Sequence, residues 1–164
     1  MKDIIKTAAI QGMKKMTATL ALGLAALALT GTAVAKDQQT RPFFAKSHVV
    51  VVVDLSNGEF MAMNEGTATH FGHFTGETKG TSIPSIVGEG IITTANGDQV
   101  FARFENTDGS EEGAVQTITG GNGRFENATG EAVQTQSNVA YDFVSKPGFL
   151  ILTYDDVLVG TITY

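Results

Sequence analysis

The chain has 164 residues, a length that ordinarily forms one domain, with 17 acidic and 11 basic side chains. An excess of negative charge opposes binding to phosphate backbones and to anionic membrane surfaces, so we expect no nucleic-acid partner. The complete absence of cysteine excludes disulfides, thiolate metal sites and thiol catalysis.

The first 35 residues have the pattern of a secretory signal peptide. Lys14 and Lys15 precede the uncharged run Met16–Thr30, and Ala33–Ala35 places small residues at positions −3 and −1 of a cleavage site. The apolar run is shorter than the ~20 residues of a membrane-spanning helix. We therefore predict cleavage after Ala35 and export to the periplasm or the cell exterior.

Export changes the charge and length of the protein that has to fold. The start residue remains open among Met1, Met13 and Met16. Cleavage after residue 35 leaves 164 − 35 = 129 residues. Four lysines and one aspartate leave with the signal, so the balance becomes 7 − 16 = −9. This sign again disfavours anionic partners.

The mature chain begins with a polar stretch and continues as strands. Residues 36–46 (KDQQTRPFFAK) predict a flexible tether, followed by one domain over residues 47–164. The valine-rich run His48–Leu55 favours a strand. Asn57-Gly58 and Asn96-Gly97 are each typical of a two-residue hairpin turn, because both residue types tolerate positive φ.

The remaining segments also favour strands over helices. The predicted strands are Glu59–Asn64, Thr67–Thr78, Ile86–Ala95, Asp98–Asn106, Ala114–Thr119, Glu131–Ser145, Phe149–Tyr154 and Val157–Tyr164. The one candidate helical turn is Arg124–Ala128. The predicted fold class is all-β, a single antiparallel barrel of about eight strands with no substantial helix outside the signal peptide, because closure removes the exposed edges of a sheet.

Alternation along the longest strand predicts which face is buried. In Glu131–Val144 one side carries Val133, Thr135, Ser137, Val139, Tyr141 and Phe143, and we expect this side to face the core. The other side carries Gln134, Gln136, Asn138 and Asp142. In Asp98–Asn106 the buried set is ambiguous, since Val100, Ala102 and Phe104 compete with Phe101.

An outer-membrane barrel is a further alternative for a chain of strands that ends in tyrosine. Counting back from Tyr164 by twos gives Ile162, Gly160, Leu158 and Asp156, a poor series for a lipid-facing surface. We therefore expect no stable membrane insertion.

A glycine-dense stretch, TGGNGRFENATG (Thr119–Gly130), predicts a structural corner. Gly120, Gly121, Gly123 and Gly130 permit positive φ or close backbone approach, and Phe125 can fold back to close the end of a barrel. A phosphate-binding loop is the alternative, but the lysine and the following Ser or Thr of a P-loop are missing.

Three segments together resemble a known family: Thr69-His70-Phe71-Gly72, ITTANGDQVFARF (92–104) and ITGGNGRFENATG (118–130). They are similar to bacterial secreted proteins of the allene oxide cyclase-like and dirigent-like barrel superfamily, whose hallmark is a GG-x-G-x-F-x-x-A-x-G corner. The resemblance implies an eight-stranded antiparallel barrel, often oligomeric, with a ligand cavity at one mouth and no metal or organic cofactor. Plant members guide cyclisation or radical coupling chiefly by shape.

Four residues are candidates for contact with a ligand. His70 is a candidate because histidine is the residue type that most readily transfers protons near neutral pH. Tyr141 lies on the expected inner face of the long strand. Arg103 and Glu89 flank the Asn96-Gly97 hairpin and are expected to meet inside the barrel.

No metal site is predicted. His70 and His73 are three apart, so in a regular strand they point to opposite faces. The acidic loop Asn106–Gly113 fails the EF-hand pattern, because glycine stands at its fourth position instead of its sixth.

Three functions follow from these patterns. The first is an exported barrel that binds a small hydrophobic molecule in its lumen. The second is a cofactor-free cyclase or isomerase that uses the same cavity with a His or Tyr proton relay. The third is a structural or self-associating protein with a solidly packed lumen, and a homo-oligomer is compatible with each.

Overall fold

The structure is a computed structural model that describes residues 38–106 and 112–164. Its strands are β1 (Thr40–Asp54), β2 (Glu59–Ala68), β3 (Gly72–Thr81), β4 (Ile86–Thr94), β5 (Gln99–Asn106), β6 (Glu112–Gly121), β7 (Thr129–Asp142) and β8 (Phe149–Thr163). One short 3-10 helix, η1 (Gly123–Phe125), lies between β6 and β7. The predicted signal peptide lies outside the described residues.

The eight strands form a closed antiparallel barrel in chain order, with β1 paired to β8. The predicted fold class is confirmed. Both Asn-Gly turns stand where the sequence placed them, between β1 and β2 and between β4 and β5. Among the described residues no helix is long and apolar enough to cross a membrane.

Four predicted boundaries differ from the structure. The tether prediction for residues 36–46 is wrong from Thr40 onward, because Thr40 begins the pairing of β1 with β8 and Phe43 is buried. The two predicted C-terminal strands are one continuous strand, β8, since both its neighbours are long enough to pair along it. The predicted strand Thr67–Thr78 is a hairpin that turns at residues 69–71. The predicted turn of helix is shorter, η1.

The interior of the barrel contains two clusters of buried side chains. One cluster fills the end near η1, where Phe125 packs between Phe71 and Tyr164 with ring centroids 5.0 Å apart in both pairs. The other cluster surrounds Val51 and Phe60 towards the opposite end. We call the first end the packed end, and the other, which carries the β1–β2, β3–β4 and β7–β8 loops, the open end.

The corner at the packed end is shaped by glycines. Gly123 has φ +59, a conformation that L side chains rarely adopt. A Cβ atom on Gly121 would lie 2.7 Å from the carbonyl oxygen of Phe125. The chain therefore folds tightly over the packed end and directs the Phe125 ring into the barrel.

The inward face of β7 differs from the prediction. Ala132 and Gln134 are buried, whereas Val133 is 51% exposed. The phase changes at a β-bulge between Ser137 and Ala140, where two residues of β7 stand opposite one of β8. The expected buried set was therefore wrong for Val133, Thr135 and Ser137, and also for Phe143, which follows the end of β7 and is 61% exposed.

Candidate functional site

A cavity of about 280 Å³ lies in the open half of the barrel. Its walls are largely apolar, built by inward-facing residues such as Val51, Phe60, Ala62, Phe104 and Leu152. Its volume lies just below the range of ~300–1,000 Å³ that ligand pockets usually occupy. The site therefore suits a small molecule.

The cavity takes its shape from strand alternation on both sides. β8 alternates without interruption, so Leu152, Tyr154 and Asp156 all face inward. In β5 the same rule places Val100 and Phe104 inside and leaves Phe101 outside, which resolves the ambiguity of the sequence. The result is an apolar wall with a few polar groups at one level.

The polar groups form a connected layer around the buried carboxyl group of Asp156. The Ser47 hydroxyl donates a hydrogen bond to Oδ1 of Asp156, and Nε2 of Gln134 donates one to Oδ2 at 3.1 Å. Nε2 of Gln116 in turn donates to Oε1 of Gln134 at 3.4 Å. Four strands, β1, β6, β7 and β8, thus supply one hydrogen-bonded layer at the inner end of the cavity.

Burial of Asp156 has an electrostatic consequence. Removal from water disfavours the ionised form and raises the pKa of the Asp156 carboxyl group, although the hydrogen bonds from Ser47 and Gln134 oppose the shift. A carboxyl group with a raised pKa keeps its proton to a higher pH than an exposed one. Asp156 thus places a buried carboxyl group, with both oxygens accepting hydrogen bonds, at the inner end of the apolar cavity.

Tyr154 lies beside this layer with its hydroxyl group largely buried. Burial, together with the nearby charge of Asp156, raises the pKa of Tyr154 to about 12. The phenol thus stays protonated at neutral pH and offers an O–H group rather than a phenolate. Among the described residues every buried side-chain nitrogen or oxygen has a hydrogen-bond partner, so the polar layer is complete without a ligand.

Of the four ligand candidates from the sequence, one lines the cavity. Tyr141 follows the β7 bulge and lies at the mouth, where its ring stacks on that of Phe143 with centroids 6.5 Å apart. The side chain is half exposed, as expected for a residue at the rim. Its predicted contact with a ligand is compatible with this position.

His70 lies at the other end of the barrel. It is in the β2–β3 turn with φ 70, and its Nε2 is 2.9 Å from the carbonyl oxygen of Pro42. Phe71, Phe125 and Tyr164 fill the lumen at this end. The structure therefore does not bring His70 to the cavity.

Arg103 and Glu89 are paired in register across β5 and β4, but they face outward. The Arg103 side chain is 56% exposed and lies 3.8 Å from the carboxylate of Glu105. Their expected position inside the barrel is wrong, because Phe104 and Gly88 occupy the inward phase of these strands.

The predicted corner residues lie at the packed end of the barrel. Gly120, Gly121, Gly123, Phe125 and Gly130 surround the packed end, away from the cavity. Within residues 38–106 and 112–164 no group of three or more His, Asp or Glu side chains is placed to hold a metal ion.

Sequence reasoning missed Asp156 and Gln134. Asp156 is in phase with Leu158 and Ile162, two buried residues, so alternation along β8 already directs it inward. Gln134 is in phase with Ala132 in the same way on β7. The signal that identifies each of them is a polar residue at a position where strand alternation predicts an inward-facing apolar residue.

Comparisons with known proteins give one likeness. No protein-family model matches the chain, and no curated protein matches it. Among solved structures, the chain is similar to the pterocarpan synthase dirigent protein GePTS1, with 17% identity and a TM-score of 0.46. The alignment covers 87% of this chain and 98% of that one.

Proposed function

We propose that this protein is an exported barrel that binds a small, neutral, largely apolar molecule in the cavity of its open half. The observation that carries the proposal is the cavity itself, about 280 Å³ of space with apolar walls. A solidly packed lumen is the alternative, and it is disfavoured because the aromatic cluster of the packed end does not extend into the open half.

The chemistry of the lining defines the ligand class. The apolar walls favour hydrocarbon or aromatic surface, and the buried Asp156 disfavours a second negative charge. The Tyr154 hydroxyl group, which stays protonated at neutral pH, can donate a hydrogen bond to an acceptor such as a carbonyl or ether oxygen. The preferred ligand is therefore neutral and carries one oxygen acceptor.

A dye titration tests this function. The neutral probe N-phenyl-1-naphthylamine is expected to bind with a rise in fluorescence, and the anionic probe 1-anilinonaphthalene-8-sulfonate is expected to bind more weakly. Ala62→Leu, which fills the cavity, is expected to abolish binding. Ala95→Leu is the matched control, since Ala95 is exposed in the turn at the opposite end. Equal binding by both variants would contradict the proposal.

A cofactor-free cyclase or isomerase is the second candidate, favoured by the buried Asp156. A carboxyl group with a raised pKa can donate a proton to a polarised oxygen or double bond of a bound molecule. Carbon-13 NMR of labelled aspartate is expected to show one carboxyl group that titrates above the ordinary value of 3.8 and is missing from Asp156→Asn. Titration of Asp156 at or below that value would exclude the role of acid.

Export forms a separate part of the proposal. The predicted signal in residues 1–35 implies a mature protein that begins at Lys36. Expression of the full chain in a bacterium, followed by intact mass measurement of the periplasmic and secreted fractions, is expected to show this species. A full-length mass confined to the cytoplasm would contradict it.

A further inference from the structure

The β-bulge in β7 decides which side chains line the mouth of the cavity. Up to Ser137 the even-numbered residues of β7 face inward, as Gln134 and Gln136 do. After the bulge the phase reverses, and Tyr141 faces inward while Asp142 faces away from the cavity. Without the bulge, strict alternation of the same sequence would direct Ala140 and Asp142 inward.

Two features hold the bulge in place. Asn138 has φ 54, a left-handed conformation that Asn tolerates better than most residues. Its Nδ2 donates a hydrogen bond of 2.8 Å to Oδ2 of Asp155, whose Oδ1 lies 2.8 Å from Nδ1 of His48. The bulge of β7 is thus fastened to β8 and β1 on the outer face of the barrel.

The outer face of the barrel also carries the ionised carboxylates of Asp142 and Asp155. Hydrogen bonds from Asn138, then from His48, lower the pKa of the Asp155 carboxyl group, and hydrogen bonds from Ser145 lower that of Asp142. Both carboxylates are exposed and stabilised in their ionised form. Turning Asp142 into the mouth would place an ionised carboxylate against an apolar cavity, which is unfavourable for an apolar ligand.

We infer that Asn138 is a positioning residue that sets the specificity of the cavity, because its bulge turns Tyr141 into the mouth and keeps Asp142 out. The inference rests on the proposed binding function, but the orientation of the side chains is measurable without any ligand. The hydrogen bond of the Asn138 side chain goes to Asp155 on the outer face, not to the polar layer around Asp156. Its effect is transmitted through the phase of β7.

Cysteine reactivity measures this phase, because the chain has no cysteine of its own. Val139→Cys and Ala140→Cys are placed one at a time in the full chain and treated with a cationic methanethiosulfonate. The thiol at position 140, on the outer face, is expected to react at least about tenfold faster than the partly buried thiol at 139. The reverse order in the unaltered background would overturn the inference.

Three changes at Asn138 separate its conformation from its hydrogen bond. Asn138→Val disfavours positive φ, so it is expected to reverse the order of reactivity and to weaken binding of N-phenyl-1-naphthylamine. Deletion of Asn138 removes the extra residue and keeps the same inward set, so the order and the binding are both expected to persist. Asn138→Gly permits positive φ without the hydrogen bond to Asp155 and is expected to keep the wild-type orientation of residues 139 and 140.

The outcomes are distinguishable. If no variant and no wild-type protein binds the dye, the proposed function fails while the order of thiol reactivity still decides the inference. An Asn138→Val protein that keeps the wild-type order overturns it. If that variant does not fold, deletion of Asn138 carries the test, because a reversed order there would likewise overturn the assignment.

Discussion

Replacement of Phe125 by alanine tests the division of the barrel into a packed end and an open end. Phe125 is completely buried, and its ring lies 5.0 Å from those of Phe71 and Tyr164. The guanidinium group of Arg124 lies 4.7 Å from the ring centroid. A buried Phe→Ala change removes this packing and leaves a void, which costs about 3–5 kcal/mol of unfolding free energy.

The matched control is the same change at Phe143. That side chain is 61% exposed at the open end and stacks on Tyr141 alone among the ring contacts described. Phe143→Ala is therefore expected to cost less than about 1 kcal/mol. For a domain of this size, a loss of about 4 kcal/mol lowers the melting temperature by roughly 15 °C.

Urea and thermal unfolding followed by circular dichroism measure both variants, since the chain has no tryptophan for a fluorescence signal. Phe125→Ala is expected to lose stability and still bind N-phenyl-1-naphthylamine, because the cavity lies in the other half of the lumen. A cost for Phe125→Ala no larger than that for Phe143→Ala would refute the assignment of the packed end. So would loss of dye binding in a folded Phe125→Ala protein.

Three further predictions concern the cavity and the corner. Burial raises the pKa of Asp156, so its contribution to the unfolding free energy is expected to fall as pH rises from 3.8 through the raised value. The difference in unfolding free energy between the wild type and Asp156→Asn, measured by denaturation at several pH values, is expected to fall over the same range, and a difference that does not change with pH would speak against it. Ala62→Leu adds three buried carbon atoms worth about 0.8 kcal/mol each, so its urea midpoint is expected to rise, and a fall would show that no space is present there. Gly121→Ala places a Cβ 2.7 Å from the Phe125 carbonyl oxygen and is expected to lower stability by about 1–3 kcal/mol, whereas an unchanged melting temperature would contradict the close approach.

The architecture followed from local sequence patterns. Asn57-Gly58 and Asn96-Gly97 fix two hairpins through short-range turn chemistry, and the lack of helical periodicity fixes the all-β class. The number of strands followed within one, because most strands are bounded by their own turn residues; the exceptions are the turn between β2 and β3, which was missed, and β8, which was predicted as two strands. Features that depend on residues close together in the sequence could therefore be predicted.

The site was less accessible, because it depends on phase and on partners distant in sequence. The apolar residues Val133 and Val159 are paired on the outer face, whereas Gln134 and Asp156 are buried and hydrogen-bonded to each other. Hydrophobicity alone therefore selected the wrong face of β7. The bulge at Asn138 then reversed the phase, so Tyr141 faced inward as expected although Val133 did not.

The start of β1 shows the same limit. Residues 36–46 are polar and contain proline, which favours a tether when the segment is read alone. Phe43 is nevertheless buried, and Thr40 pairs with Thr163 across 123 positions of sequence. Barrel closure supplied a partner strand that no local pattern could reveal.

Methyl NMR of alanine-labelled protein tests the central claim most directly. Ala62 and Ala114 line the cavity, whereas Ala128 and Ala132 are buried in the packed end. During titration with N-phenyl-1-naphthylamine, the methyl resonances of Ala62 and Ala114 are expected to shift through the ring current of the bound probe, while those of Ala128 and Ala132 stay in place. Shifts confined to Ala128 and Ala132, or none at saturating probe, would contradict a ligand site in the open half of the barrel.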